Sequence, residues 1–185
     1  MTGPRPATVG DRPDPELLRR ARDGDREAFA LLHTRYRRVV HGLLLARVSR
    51  EEADDLVQEV FPIALDRVGE LKDDAAFGAW LCAIARNRAT DAQRRGQRLK
   101  PWTDAGLRGE PQPPRAEAAE ALDAIRSLPE AYAETLIMRL VEDLSGPEIA
   151  ERTGLTEGSV RVNLHRGMAL LRERLEGTPL ARARR

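Results

Sequence analysis

A group of basic and polar side chains near the carboxyl end of the chain has the types and spacing that bind DNA. Arg161, Asn163, His165 and Arg166 alternate with apolar residues that recur at helical spacing. An arginine can donate two parallel hydrogen bonds to guanine or contact a phosphate, and a helix fits the major groove. These four side chains therefore predict a DNA-binding helix.

Signals for helix starts and a tight turn surround this group. Ser145 precedes Glu148 by three residues, the spacing of a capping box, and Pro147 falls in the first turn, where its missing N–H costs nothing. Gly154 supplies a turn, and Thr156 can cap a second helix. The apolar face of that second helix consists of Val160, Leu164, Met168, Leu171 and Leu175. The pattern predicts a helix-turn-helix; the alternative is a plain helical hairpin with a solvated basic face.

Charge is unevenly distributed along a chain whose net charge is only +1. Residues 51–59 hold five acidic residues and no basic one, whereas residues 86–100 hold six basic residues and a single acidic one. Separate acidic and basic faces indicate two different partners. The near-neutral total indicates that the chain binds DNA weakly alone and with the help of a partner.

Residues for metal binding or nucleophilic catalysis are scarce. Cys82 is the only cysteine, and His33, His41 and His165 lack the spacing of metal ligands. We therefore predict no catalytic site, no metal and no cofactor. The sequence shows no signal peptide and no apolar run long enough to span a bilayer, so we expect a cytoplasmic protein without membrane insertion.

Helical periodicity and the near absence of strand patterns predict an all-α protein with two small helical domains joined by a flexible linker. The linker is 97–115, which is rich in proline and glycine and has no periodicity. The domains are 14–96 and 116–177, the second being the helix-turn-helix domain. We expect a disordered segment at 1–13 and an unstructured basic tail at 178–185.

Capping signals divide the first domain into four helices. Asp25 caps the second helix, which runs to about Arg47, and Ser49 with Glu52 forms a capping box for the third. A polar loop precedes a fourth helix from Ala75 to about 95.

Two blocks of sequence on either side of the linker resemble one known family. The first contains EEADDLVQEVFPIAL and FGAWLCAIARNRATDAQRR, and the second is LPEAYAETLIMRLVEDLSGPEIAERTGLTEGSVRVNLHRGMALLRERL. Their order and spacing closely resemble the extracytoplasmic-function (ECF) sigma factors of bacterial RNA polymerase. The resemblance covers roughly 14–177, and two ordered blocks are far more specific than a helix-turn-helix alone.

The resemblance implies a promoter-specificity factor with three contact surfaces. The acidic block would dock on the β′ clamp helices of core polymerase through Asp54, Asp55, Gln58, Glu59 and Phe61. The next block would melt and recognise the −10 element as single-stranded DNA through Trp80, Arg86, Asn87, Arg88, Asp91, Arg94 and Arg95. The helix-turn-helix would recognise the double-stranded −35 element through Thr156, Ser159, Arg161, Val162, Asn163, His165 and Arg166.

Further partners follow from the same resemblance. The second domain would also touch the polymerase β flap, an anti-sigma factor would control the protein, and the loop 66–76 would hold a flipped −10 base. Trp80 lies on the apolar stripe, so we expect it mainly in the core. A solvated acidic helix face is the alternative for the docking block.

Two positions depart from the family pattern. Pro62 lies inside the third helix, where an interior proline costs about 3 kcal/mol and predicts a kink. Val162 and Asn163 stand where a Ser-Arg pair is common, which removes one guanine or phosphate contact and predicts an unusual −35 sequence.

Other functions explain less of the sequence. A stand-alone helix-turn-helix regulator would leave the acidic helix and the first domain without a role. An enzyme would need catalytic groups that the chain does not display. A helical interaction module, such as an inhibitor of a sigma factor, would not explain the DNA-binding pattern in the second domain.

Overall fold

The computed structural model describes residues 15–98 and 113–176, and this part of the chain is helical and contains no strand. Its α-helices are α1 (Pro15–Arg22), α2 (Arg26–Leu45), α3 (Arg50–Arg67), α4 (Phe77–Arg98), α5 (Pro113–Arg126), α6 (Glu130–Leu140), α7 (Gly146–Thr153) and α8 (Glu157–Glu176). The all-α prediction is therefore confirmed. The predicted disordered start at 1–13, the basic tail at 178–185 and most of the predicted linker lie outside the described residues.

The predicted caps set the helix starts in the first domain. The Asp25 side chain accepts hydrogen bonds from the backbone N–H groups of Glu27 and Ala28, and Ser49 accepts one from Glu52 at 3.2 Å. Each cap satisfies amide donors that the first turn of a helix leaves unpaired. The helix ends differ from the predictions by a few residues, since α2 stops at Leu45 and α4 starts at Phe77.

The core of the first domain lies between α2, α3 and α4, with α1 packed across α2. The fully buried large side chains there include Leu18, Leu32, Tyr36, Phe77 and Leu81. Tyr36 and Phe77 meet edge to face, with ring centroids 5.0 Å apart, which is a favourable arrangement for aromatic rings. This core holds α3 and α4 side by side and leaves one face of each for other partners.

Pro62 does not end its helix, because α3 runs without interruption from Arg50 to Arg67. Between α3 and α4 the chain forms two short 3-10 turns, at Val68–Glu70 and Asp74–Ala76. Arg22 holds this connection in place by donating hydrogen bonds to the carbonyl oxygens of Val68 and Leu71 and by pairing with Asp74. The loop that we associated with the −10 base is therefore anchored to α1.

The linker is shorter at both ends than the predicted 97–115. Helix α4 continues to Arg98, and α5 begins at Pro113 rather than near Ala116. Prolines are tolerated in the first turn of a helix, where no intrahelical bond requires their N–H. Proline was taken as a linker signal in the sequence, but at Pro113 it starts a helix.

The middle of helix α6 is buried on all sides and joins the two domains. Its residues Ala133–Met138 are all buried, and the helix packs against α8 and α5 of its own domain and against α2 of the first domain. A helix that is apolar all round requires neighbours on every side. In this structure the two domains are in contact, because α6 and α7 pack against α2 and α4.

Candidate nucleic-acid and protein interfaces

The acidic face of α3 is exposed. Asp54, Asp55, Gln58 and Glu59 follow the spacing i, i+1, i+4 and i+5, so they share one helical face, and all four are exposed. Asp54 also lies 3.4 Å from Nε2 of His41. The structure thus presents the predicted docking carboxylates together on one surface.

Phe61 does not belong to that surface. Its side chain is only 3% exposed, and its ring lies 6.3 Å from Phe29 and 4.2 Å from His33 between ring centroids. Phe61 therefore lies in the core of this structure, apart from the exposed carboxylates, and its role in docking stays a prediction. The ring instead fixes α3 on α2, because its position in the helix faces the core.

Four of the predicted −10 residues form one exposed face of α4. Asn87, Asp91, Arg94 and Arg95 are exposed at spacing i, i+4, i+7 and i+8. Trp80 packs against the core and lies 5.9 Å from Phe77 between ring centroids, as its place on the apolar stripe predicted. The four exposed side chains are an amide, a carboxylate and two guanidinium cations.

Two arginines of α4 already have protein partners. Arg88 pairs with Glu59 of α3, so one predicted −10 residue contacts one predicted docking residue. Arg86 points to the opposite side of α4, where its Nε and Nη2 donate to the carboxylate oxygens of Glu134 at 3.1 and 2.9 Å. Helical spacing places Arg86 away from the exposed face, which the charge pattern alone could not show.

The helix-turn-helix has the predicted caps and turn. Ser145 Oγ accepts from the N–H of Glu148 at 3.3 Å, and Glu148 accepts in return from the N–H of Ser145 at 2.8 Å. Gly154 adopts φ 76°, a left-handed conformation that favours glycine. Thr156 Oγ1 accepts from the N–H of Ser159 at 3.1 Å, so Thr156 caps α8 as predicted and its hydroxyl is engaged.

The exposed face of α8 is broader than the sequence suggested. Arg161, Val162, His165 and Arg166 line one shallow groove of about 390 Å³. Arg161 and Arg166 lie five positions apart, which is about 140° of rotation at 3.6 residues per turn, and both border this groove. Val162 is 45% exposed, so the groove combines cations with an apolar floor.

Asn163 points inward instead. It is half-buried, and its Nδ2 donates to Thr135 Oγ1 of α6 at 3.4 Å. Position 163 lies between the apolar stripe and the exposed groove, so Asn163 faces α6 in this structure, and its contact with DNA stays a prediction. Sequence spacing alone did not distinguish the two sides.

The contacts between the domains were not predicted from the sequence. Glu134 of α6 pairs with both Arg47 and Arg86, and its side chain is only 10% exposed. The available signal was a single acidic residue within the apolar run 133–138, since a buried carboxylate requires cationic partners.

Other polar contacts cross the same boundary. His41 Nδ1 lies 2.5 Å from Glu142, and Arg35 pairs with Glu151. Arg126 donates to the carbonyl oxygens of Leu45 and Val48 at 2.8 and 2.6 Å, just after the end of α2. These contacts tie the second domain to α2 along much of its length.

Two kinds of feature are absent from residues 15–98 and 113–176. No helix there is long and apolar enough to cross a membrane. No group of three or more histidine, cysteine, aspartate or glutamate side chains is arranged to hold a metal ion in that part of the chain.

Comparison with protein families matches both domains separately. Residues 32–99 match Sigma-70 region 2, and residues 118–171 match Sigma-70 region 4. The first range contains the acidic face of α3 and all of α4, and the second contains α7 and most of α8. The two matches leave out α1, the first residues of α2 and α5, and the last residues of α8.

Curated relatives align with nearly the whole chain. The ECF RNA polymerase sigma-E factor of Haemophilus influenzae is 31% identical over 180 residues, which is 88% of this chain and 95% of the relative. RNA polymerase sigma factor CarQ of Myxococcus xanthus is 31% identical over 90% of this chain and its own full length. The solved structure of CnrH in complex with the cytosolic domain of CnrY shares the fold, with a TM-score of 0.61 and 24% identity over 89% of this chain and 97% of CnrH. The chain therefore belongs to the ECF sigma factors of bacterial RNA polymerase.

Proposed function

We propose that this sigma factor uses the exposed acidic face of α3 to bind core RNA polymerase at the β′ clamp helices. The observation that carries the proposal is the grouping of Asp54, Asp55, Gln58 and Glu59 on one exposed face within the region 2 match. Carboxylates without a buried role require a cationic partner or water, and charged surfaces speed the encounter between proteins. The family resemblance implies that this partner is the pair of β′ clamp helices.

The DNA-binding roles are divided between the domains. The exposed face of α4, with Asn87, Asp91, Arg94 and Arg95, would hold single-stranded −10 DNA, because cations contact its phosphates and polar groups its unstacked bases. Helix α8 would enter the major groove at the −35 element, with its exposed face towards the bases. Arg161 and Arg166, which border the shallow groove on α8, would contact the DNA. The docked polymerase would supply the affinity that a chain of net charge +1 lacks.

Regulation by an anti-sigma factor is part of this proposal, as is a cytoplasmic location. The resemblance to ECF sigma factors implies both. The structure of CnrH, which shares this fold, was solved with the cytosolic domain of a second protein bound. We expect a comparable inhibitory partner for this chain and further contacts of its second domain with the polymerase β flap.

Reversal of one charge on the acidic face tests the docking proposal. Asp55→Arg should weaken binding to purified core polymerase by about tenfold or more, because the new cation repels the cationic partner surface. Binding is measured by titration of labelled sigma factor with core polymerase at fixed salt concentration.

A matched control makes the same charge change elsewhere. Glu173 is exposed on α8, outside the acidic face, and Glu173→Arg should leave core binding close to wild type. Equal affinity of the Asp55→Arg variant and the wild type would remove the acidic face from the interface.

A further inference from the structure

Val162 is an apolar side chain that lies exposed in the middle of a cationic surface. It lines the shallow groove of α8 together with Arg161, His165 and Arg166. Among the residues that the structure describes, neither of these arginines has an ion-pair partner. The groove therefore presents uncompensated cations around an apolar patch. This combination suits a polyanion that carries an apolar group on its surface, as the major groove of DNA does.

Helix α8 holds the methyl groups of Val162 away from the core. Val160 is buried, and Leu164 packs against the core. Each lies two positions from Val162, which is about 200° of rotation at 3.6 residues per turn, so Val162 points to the opposite side of the helix. A valine in a helix has one strongly preferred χ1 rotamer. A ligand would therefore meet both methyl groups in a fixed position, and little side-chain entropy would be lost on contact.

The turn of α8 that precedes Val162 leaves its methyl groups uncovered. Side chains on a helix tilt towards its amino end, so Val162 lies over positions 158 and 159. Gly158 has no side chain, and the nearest neighbouring atom to a Cβ at that position would be Thr156 Oγ1, at 3.8 Å. Ser159 is small, and its hydroxyl is hydrogen-bonded to Thr156 Oγ1 at 2.8 Å. The start of α8, the part of a recognition helix that contacts base edges, is therefore open around Val162.

Thymine is the base whose chemistry fits this position. Its 5-methyl group is the apolar group that a base pair presents in the major groove, whereas the other three bases present only hydrogen-bonding groups there. Valine can neither donate nor accept a hydrogen bond. A polar base edge pressed against Val162 would lose its water without gaining a partner, which is unfavourable. The side chain therefore favours thymine by an apolar contact and disfavours the other bases by desolvation.

We propose that Val162 recognises one thymine of the −35 element by packing its methyl groups against the 5-methyl group of that base. The proposal rests on the proposed function, in which α8 enters the major groove at the −35 element, and it names the side chain that selects a T·A base pair there. Arg161 and Arg166 would contact phosphate or guanine beside this base pair. Burial of one methyl group corresponds to about a fourfold change in affinity.

The test removes single methyl groups from the DNA and from the protein. Holoenzyme formed from the full chain and core polymerase first selects its preferred sequence from a pool of duplex fragments with a random central segment. Each thymine of the selected sequence, on either strand, is then replaced in turn by deoxyuridine, which lacks only the 5-methyl group. The dissociation constant of the holoenzyme is measured for every replacement at one fixed salt concentration.

Two variants of Val162 differ from each other by a single methyl group. Val162→Thr keeps one methyl group of the valine, whereas Val162→Ser keeps none, and both carry a hydroxyl group. Replacement of one particular thymine should weaken binding of the wild type by about fourfold and that of Val162→Thr by at least about twofold. The same replacement should leave binding of Val162→Ser unchanged, because no methyl contact remains to be lost.

The matched control makes the same substitution outside the groove. Val141 is also exposed and lies just after the end of α6, and it does not line the groove. Val141→Ser should therefore respond to every deoxyuridine replacement as the wild type does. Circular dichroism and titration with core polymerase check that all three variants fold and form holoenzyme.

The possible results separate this contact from the proposed function. A thymine whose methyl effect disappears in Val162→Ser and persists in Val162→Thr and Val141→Ser is the result that we expect. Equal methyl effects in the wild type and Val162→Ser at every thymine would overturn the proposal. Weaker binding of Val162→Ser to core polymerase in place of an effect on DNA would also overturn it, because the groove would then contact protein. A wild-type holoenzyme that selects no DNA sequence would instead contradict the proposed function.

Discussion

At the scale of single residues, the neighbouring side chains determine which contacts each arginine is free to make. Arg161 and Arg166 border an open groove, whereas Arg86 and Arg47 contact a buried carboxylate. The guanidinium group is the same in each case, and its five donors suit carboxylate and phosphate equally well. An arginine that is exposed is therefore a candidate for DNA binding, whereas an arginine that faces a carboxylate on a neighbouring helix joins the domains.

The first prediction concerns Arg161 in the groove of α8. If it donates to a guanine, Arg161→Ala should weaken binding to the native −35 sequence by about 1–3 kcal/mol and relax the preference at one base pair. If it contacts phosphate, the loss should be similar on all sequences and the salt dependence should become shallower. Binding of polymerase holoenzyme to a set of −35 variants at two salt concentrations distinguishes these roles.

Asn163→Ala is the matched control, because that side chain points to Thr135 and away from the groove. It should leave the preference among −35 variants unchanged and cost about 0.5–1.5 kcal/mol of unfolding free energy through its lost hydrogen bond. Neither arginine would be a DNA contact if Arg161→Ala and Arg166→Ala both left promoter binding intact.

The second prediction concerns two buried groups that must stay protonated. Burial raises the pKa of Cys82 and of Tyr36, in each case to about 12, from ordinary values of 9.0 and 10.0. Above those ordinary values the unfolded chain releases protons that the folded chain retains, so the free energy of unfolding should fall as the pH rises. Urea unfolding at neutral pH and at about pH 10.5 measures the loss. Tyr36→Phe should reduce the pH dependence, and an undiminished slope in that variant would contradict the assignment.

At the scale of helices, local hydrogen bonds determine where each element begins. Both helices of the helix-turn-helix start at a hydroxyl side chain that accepts from a backbone N–H, and a left-handed glycine separates them. These contacts depend only on residues near in sequence. The angle between α7 and α8, and with it the exposure of the groove, therefore depends on a short stretch of chain.

The third prediction tests the capping box of α7. Ser145→Ala should lower the free energy of unfolding by about 0.5–2 kcal/mol, whereas Ser145→Asn, which keeps a capping acceptor, should retain most of it. Chemical denaturation followed by circular dichroism gives both values. Equal losses for alanine and asparagine would show that the hydroxyl acceptor is not what stabilises the helix start.

The stabilisation by the same capping box should be lost at low pH. The hydrogen bond from the backbone of Ser145, followed by that from its side chain, holds the pKa of Glu148 below its ordinary 4.5. This stabilisation is present above pH 4.5 and is lost as the pH falls through the lower, folded-state pKa. Glu148→Gln should therefore cost stability at neutral pH and much less in acid, as measured by denaturation at both pH values.

At the scale of the whole molecule, the packing of α6 and α7 on α2 and α4 makes one compact unit of two domains. Apolar contacts and ion pairs act together, since Gly42 of α2 lies against Met138 of α6 while Glu134 pairs with Arg47 nearby. The linker is therefore not the only connection between the domains.

The last prediction follows from that second connection. The proline- and glycine-rich composition of the linker predicts that protease cuts first within 99–112. The two fragments of the wild-type chain should nevertheless stay together in size-exclusion chromatography at low salt. The fragments of Gly78→Ala should separate, because a Cβ atom at Gly78 of α4 would overlap the carbonyl oxygen of Arg152 in α7. Those of Gly96→Ala should not, because a Cβ atom at Gly96 would meet nothing within 4 Å among the described residues. Separation of the wild-type fragments would show that the packed state is not maintained without the linker.

The sequence by itself determined the helices, the caps of α2, α3, α7 and α8, the turn at Gly154 and the grouping of acidic residues on α3. These features arise from contacts between residues a few positions apart, and helical periodicity shows which residues share a face. Family motifs added the expected partners of those faces, because the order and spacing of the motifs are specific.

Only the tertiary structure decided what covers each face. Phe61, Asn163 and Arg86 all carry side chains that suit a contact surface, yet the first two point into the protein and the third binds Glu134. Glu134 and Arg86 are 48 positions apart, and periodicity carries no information about pairings over that distance. Packing of one domain on the other determines them, because a buried charge takes its partner from whichever helix lies against it.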